Sequence, residues 1–164
     1  MLKKRLAPNP VRLFLTCKLV SEENPGSYRA ESEASLVEQL GIRDEVVELG
    51  TVPYSLLHHV YRACQLYVTP AYAESFAHPL VEAMASGLPV IASDLPVHRE
   101  ICEDAGVYFS RFSPEELADR VMGLVVPPLV ASRLRARGLE RSQAFSWSRH
   151  TDELVNLATQ LASV

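Results

Sequence analysis

Nowhere does the chain approach the roughly 20 consecutive apolar residues that a membrane-spanning helix needs, so no such helix is expected. The basic start, Met-Leu-Lys-Lys-Arg-Leu-Ala-Pro-Asn-Pro, leads into no apolar core, which argues against a signal peptide. Cysteine is scarce. Cys17, Cys64 and Cys102 lie far apart and form no Cys-x-x-Cys pair. They read as buried free thiols of a reducing, cytoplasmic protein. Positive charge is not in excess: 16 Lys and Arg face 20 Asp and Glu, for a net charge of −4. Nucleic acid is therefore not an expected partner. No internal repeat or low-complexity stretch is visible. What is present is 48% hydrophobic and 22% charged over 164 residues, ample for one folded domain with a core.

Taken in order, residues 1–9 are expected to form a loose tail ahead of a domain over 10–164. Residues 11–15, Val-Arg-Leu-Phe-Leu, read as a strand, and 21–27 as a loop rich in turn residues. Ala30, Ala34, Val37 and Leu40 recur at helical spacing over 27–40, and Gly41 closes that helix. Residues 45–49 form a second strand. Pro53 opens a helix whose core face is Leu56, Leu57, Val60, Tyr61 and Cys64. Strands follow at 66–69, 90–92 and 107–109. A short helix starts at Pro96. Ser113-Pro-Glu-Glu is a capping box opening another helix, broken by Pro127-Pro128. One further helix runs to Phe145. A last one, from Ser146, is expected to bury Leu154, Leu157, Ala158 and Leu161. Strands alternating with helices predict an α/β fold: a doubly wound, mostly parallel, Rossmann-like sheet flanked by helices. Ligands of such sheets bind beyond the carboxyl ends of the strands.

The richest stretch runs from Tyr72 to Asp94. It reads as a loop, a helix pivoting on Pro79 and ending at Gly87, and a buried strand at Val90-Ile91-Ala92. Backbone N–H groups over residues 77–81, Pro79 excepted, point out of the helix N-terminus. That end favours an anion such as a phosphate. Glu74 and Glu82 flank it, with seven residues between them. A carboxylate touching a phosphate would repel it, so each is better placed to accept from neutral hydroxyls. A phosphate flanked by hydroxyl-bearing groups describes a nucleotide-sugar. A glycosidase acid–base pair would also use two nearby carboxylates, but the anion-ready helix end favours a phosphorylated ligand.

Glu74, Ser75, Phe76, Pro79, Glu82, Ala83, Met84, Ala85, Gly87, Pro89 and Val90 resemble the donor-site signature of the retaining group 1 (family 4) glycosyltransferases, which have the two-domain GT-B fold. Ala77 departs, since the family usually has Gly there. The resemblance implies the C-terminal, donor-binding domain, without the N-terminal acceptor domain and without the domain's first strand. It implies a UDP- or GDP-hexose as donor and transfer to a glycan or glycolipid, without metal or other cofactor. A chain with one side of the cleft is expected to be inactive alone. Glu74, as the catalytic candidate, would bind the transferred sugar, and Glu82 the ribose hydroxyls. Ser75 belongs to the same loop, and Phe76, Ala77, His78 and Leu80 would face the diphosphate through backbone N–H groups. Val52 and Pro53 match the position that reads the base edge. The family's Gly-Arg-x-x-x-x-Lys segment is not found, and Lys18 is a weak substitute.

Other residues have plainer readings. His58 and His59 cannot face one metal, because helix neighbours point about 100° apart. His98 and Glu100 read as structural. Arg133, Arg137 and Arg141 form a stripe that is a solvated face or, alternatively, a contact with the absent domain or with anionic lipid at the inner membrane surface. The rival from another class is a non-catalytic nucleotide-sugar-binding or interaction domain.

Overall fold

Every strand pairing found is parallel, as the alternation of strands and helices predicts. The computed structural model describes residues 1–20 and 30–162. The loop expected over 21–27, and the start of the helix expected from 27, lie outside them. The chain forms two compact units, Met1–Leu57 and His58–Val164.

In the first unit, β1 (Leu13–Leu15) pairs with β2 (Val46–Glu48), Leu13 opposite Val46. Both strands are shorter than their sequence patterns: pairing takes in only the last three residues of 11–15 and the middle three of 45–49. Helix α2 (Glu31–Gln39) lies between them in the chain. A small core joins Leu19, Ala30 and Val46, with Leu15, Ala34 and Val37 against it. Charged groups add further contacts. Glu48 accepts from the Leu19 N–H at 2.6 Å and pairs with Arg43 at 2.5 Å. Those partners hold its carboxyl below the usual range. The segment expected as a loose tail carries a short helix, α1 (Leu2–Leu6), and Lys3 pairs with Glu45. An opposite charge within reach is what the sequence pattern does not display.

Helix α3 (Tyr54–Ala63) runs across the boundary between the units. Its expected core face is realised only at Tyr61; Leu56 is exposed, and Leu57, Val60 and Cys64 are half-buried. In the second unit, β3 (Tyr67–Thr69), β4 (Val90–Ser93) and β5 (Gly106–Phe109) form a sheet with β4 in the middle. Every residue of β4 is buried. Such central strands carry no alternation, since both faces are covered. Helices α4 (His78–Ala85) and α6 (Pro114–Val125) pack on this sheet, α5 (Pro96–Cys102) packs on α4, and α7 (Pro128–Ser142) packs on α4 and α6. Leu80, Met84, Val90, Ile91 and Cys102 are fully buried. Each large apolar side chain of this kind stabilises the fold by roughly 1.5–3 kcal/mol.

Three expectations are corrected here. The Ser113 hydroxyl does accept from the Glu116 N–H, at 3.1 Å. The reciprocal half of the box is different: the Glu116 carboxylate accepts from the Ser110 N–H, at 2.9 Å. The arginine stripe is not simply solvated either. Arg141 donates to the Ile101 and Glu100 carbonyls at the end of α5 and pairs with Glu103, while Arg137 pairs with Asp104. Those carbonyls have no partner within α5, so a guanidinium satisfies them. Finally, α8 (Trp147–Ala162) buries no residue: Leu154, Leu157 and Leu161 are more than half exposed. Periodicity shows which face is apolar, not what covers it. Among the cysteines only Cys102 is buried, and all are free. No helix among the described residues is long and apolar enough to cross a membrane.

Candidate functional site

The loop between β3 and α4 leaves the carboxyl end of its sheet and is pinned at its start. The Ala71 N–H donates to Thr69 Oγ1 at 3.4 Å. The Ser93 hydroxyl, at the end of β4, donates to the Ala71 carbonyl at 2.7 Å. His98 is buried behind it, and its Nδ1–H donates to the Ser93 carbonyl at 2.8 Å. Arg111, before α6, donates to the Tyr72 carbonyl at 3.0 Å and lies 4.8 Å from the Tyr72 ring centroid. These supports come from β3, β4, α5 and the segment before α6. None was legible as a site residue in the sequence, since Thr69 meets a backbone N–H and the others backbone carbonyls, groups that any residue supplies.

Past these pins the chain turns outward. Glu74 and Ser75 are exposed, and Glu74 Oε1 accepts from the Ser75 N–H at 2.9 Å. The Phe76 ring sits 4.7 Å from the His78 ring and 5.8 Å from that of Phe145. His78 is also stacked against Trp147, at the start of α8, 6.4 Å away. Ala77 is the N-cap of α4 and is 4% exposed, with φ 65° and ψ 55°. Here a glycine is expected for a physical reason: a Cβ in the left-handed region costs roughly 1–2 kcal/mol. Pro79 lies in the first turn, where its missing N–H costs nothing. The helix ends as the sequence predicts. Gly87 has φ 77°, its N–H donates to Met84 O, and that of Leu88 to Ala83 O, both at 2.9 Å.

Of the N–H groups expected at the helix end, Leu80 is a correction. It already donates to the Ala77 carbonyl at 2.9 Å, because the left-handed turn brings that oxygen back over the first helical turn. Among the described residues, no acceptor is found for the N–H groups of Phe76, Ala77 and His78. Those three, with the dipole behind them, are what an anion would meet.

Glu82 is half-buried, in the second turn of α4, and Tyr61 donates to its Oε2 at 3.0 Å. The Tyr67 phenol is pushed up to about 12, by burial first and then by the charges of Glu82 and Glu74. Tyr67 therefore stays neutral beside both carboxylates at ordinary pH. The structure thus brings Glu74, Phe76, Ala77, His78 and Glu82 onto one loop and one helix end. Val52 and Pro53 belong to the first unit, in the loop between β2 and α3. Lys18, also in that unit, runs past Gly50 and reaches the Glu48 carbonyl at 3.5 Å. No group of three or more His, Cys, Asp or Glu able to hold a metal ion occurs among the described residues.

Comparison with known proteins gives consistent results. The family model "Glycosyl transferases group 1" matches residues 26–144. The D-inositol 3-phosphate glycosyltransferase of Nocardia farcinica is 32% identical over 150 residues, 90% of this chain and 33% of that protein. O-antigen chain mannosyltransferase B of Escherichia coli is 30% identical over 108 residues, 66% of this chain and 28% of that protein. The sucrose-phosphate synthase structure from Thermosynechococcus elongatus superposes with a TM-score of 0.75 at 30% identity, covering 82% of this chain and 34% of that one. The Anabaena HepE structure in complex with UDP has a TM-score of 0.71 at 22% identity, covering 82% of this chain and 36% of that one. The chain thus spans about a third of the length of the curated relatives it matches.

Proposed function

The chain belongs to the group 1 glycosyltransferases, and from that premise we propose that it holds a nucleotide-diphosphate sugar for transfer to an acceptor hydroxyl. The donor is a UDP- or GDP-hexose, the transfer is retaining, and the acceptor is a glycan or glycolipid. One observation carries this reading. The N-terminus of α4 offers the unpaired N–H groups of Phe76, Ala77 and His78, with Glu74 before them and Glu82 one turn beyond. A solved protein of the same fold is described in complex with UDP, which supports a nucleotide as the occupant.

Each group then has a role that follows from its chemistry. The helix end receives the diphosphate. Glu82 accepts from the ribose hydroxyls and Glu74 from hydroxyls of the hexose. As the bond from the sugar to the diphosphate breaks, negative charge grows on the leaving oxygens. Fixed donors aimed there lower the barrier without reorganising. That is electrostatic work otherwise given to a divalent cation, so binding is proposed to need no metal. The donor phosphate assists deprotonation of the acceptor, and no protein nucleophile is assigned.

Calorimetry with UDP, UDP-glucose, GDP and GDP-mannose, in the presence of a chelator, tests the reading. Glu82→Gln should weaken a nucleotide and its sugar derivative alike; Glu74→Gln should weaken only the derivative. A hydrogen bond to a carboxylate contributes about 1.5–3 kcal/mol, so each loss should be about ten-fold or more. If both variants bind like wild type, the carboxylates are merely solvated. Strict dependence on magnesium or manganese would remove the metal-free part. The 164-residue chain is expected to bind without turnover, and transfer by it alone would contradict that.

A further inference from the structure

Tyr61 occupies a position where helical spacing asks only for an apolar filler. Its ring fills that role: it is 8% exposed and meets the Tyr67 ring edge-on, 5.8 Å between centroids. Its hydroxyl reaches further, donating to Glu82 Oε2 at 3.0 Å from a residue 21 positions away. The bond therefore joins two helices, and no local preference within either one creates it.

A glutamate in the second turn of a helix has three rotatable side-chain bonds and several accessible rotamers. One directed, charge-assisted hydrogen bond restricts that freedom. It occupies one lone pair of Oε2 and leaves Oε1 to accept from something else. Two vicinal hydroxyls need a carboxylate whose plane is already set. A freely turning one would lose entropy on binding, and pre-organisation removes that loss. Tyr67 completes the arrangement as an uncharged wall, since its proton is held through ordinary pH.

We propose that Tyr61 is a positioning residue: it fixes the Glu82 carboxylate so that Oε1 faces the ribose hydroxyls of the nucleotide donor. This rests on the reading of Glu82 given above. A plainer role would be that the hydrogen bond only satisfies a buried phenol. The two roles differ in how they depend on the ligand.

Tyr61→Phe keeps the ring and removes the hydroxyl. The experiment is calorimetry on wild type, Tyr61→Phe, Glu82→Gln and the double variant, with UDP or GDP and with the 2′,3′-dideoxy form of the same nucleotide. Losing one such hydrogen bond should weaken the natural nucleotide about three- to ten-fold in Tyr61→Phe. The loss should vanish in the Glu82→Gln background and vanish again for the dideoxy nucleotide. A loss equal for both nucleotides, tracking a lowered melting temperature, would mean a structural role and overturn the proposal. Wild-type binding by Tyr61→Phe, with Glu82→Gln weakened, would overturn it while sparing the ribose reading. Wild-type binding by Glu82→Gln would bring down both.

Discussion

The two sheets are both parallel, yet they are held by different forces. In the first unit, Leu13 and Phe14 of β1 are 50% and 41% exposed, and the apolar core among the described residues is small. Ion pairs at Glu45 and Glu48, each with a half-exposed cation, lie beside that core. In the second unit, β4 is buried along its whole length between two neighbours. The candidate site hangs from the second kind of sheet. A constellation of donors and carboxylates must keep its geometry to about half an ångström, and a close-packed support does this better than screened charges. What the contrast teaches is that the signature loop projects outward from a sheet whose central strand is packed on both faces.

The largest test of the contrast is truncation in each sheet. Ile91→Ala should cost about 2–5 kcal/mol, because it leaves a cavity in a fully buried strand. Phe14→Ala should cost about 1–2 kcal/mol, since that residue is 41% exposed. Urea denaturation of both variants decides it; equal losses would erase the difference between the sheets.

Alkali comes next in size. In the second unit, Tyr67 and Cys102 are both pushed up to about 12, chiefly by burial, and Tyr108 is also raised. A group raised in the folded state contributes stability that is complete below its unfolded pKa and is lost as pH rises through the folded one. The second unit should therefore weaken between about pH 9 and 12, by on the order of 2 kcal/mol for each such group. Glu48 has the opposite sign. Its lowered carboxyl contributes above its unfolded pKa and loses that contribution as acid protonates it. Asp94, bound by Arg99, shares this acid limb in the second unit. Urea midpoints at pH 8 and 10.5 should diverge less in Tyr67→Phe than in wild type; an unchanged divergence would refute the assignment.

A smaller effect compares two left-handed positions. Gly50 has φ 70°, and a Cβ there would lie 2.9 Å from Lys18 Cε. Ala77 has φ 65° and already carries its Cβ. Gly50→Ala should destabilise by about 1 kcal/mol, and Ala77→Gly should stabilise by up to about 1 kcal/mol. Melting temperatures should shift in opposite directions. Least of all, Leu157→Gln on the bare face of α8 should change the stability of this chain by less than about 0.5 kcal/mol. A larger loss would show that the face is covered.

Much of this was legible in the residues. The strands, the helix starts at Pro79, Pro96 and Pro114, the stop at Gly87 and the free N–H groups at the start of α4 follow from period, punctuation and helix geometry. Ala77 was legible as a departure, and the structure shows the strain that a glycine would avoid. The supports were not legible. Ser93, Arg111 and Arg141 act on backbone carbonyls brought near by tertiary packing, which no spacing encodes. Tyr61 left a faint signal, because a phenol on an apolar face must find a partner for its hydroxyl. Leu80 and α8 misled for one shared reason: a pattern shows what a group offers, while the folded chain decides what, if anything, takes it.

The order of the second sheet bears on how quickly it can form. Its strands, β3, β4 and β5, are neighbours in the sheet in the same order as in the chain. Each pairing closes only the crossover between successive strands, and closure entropy grows slowly with loop length. No strand waits for a distant partner, so the contact order stays low for a parallel sheet. Assembly can start where α4 packs on β4 and spread to either side. The last parts to become ordered would then be the exposed ones, Glu74 and Ser75, whose geometry follows from a frame already set.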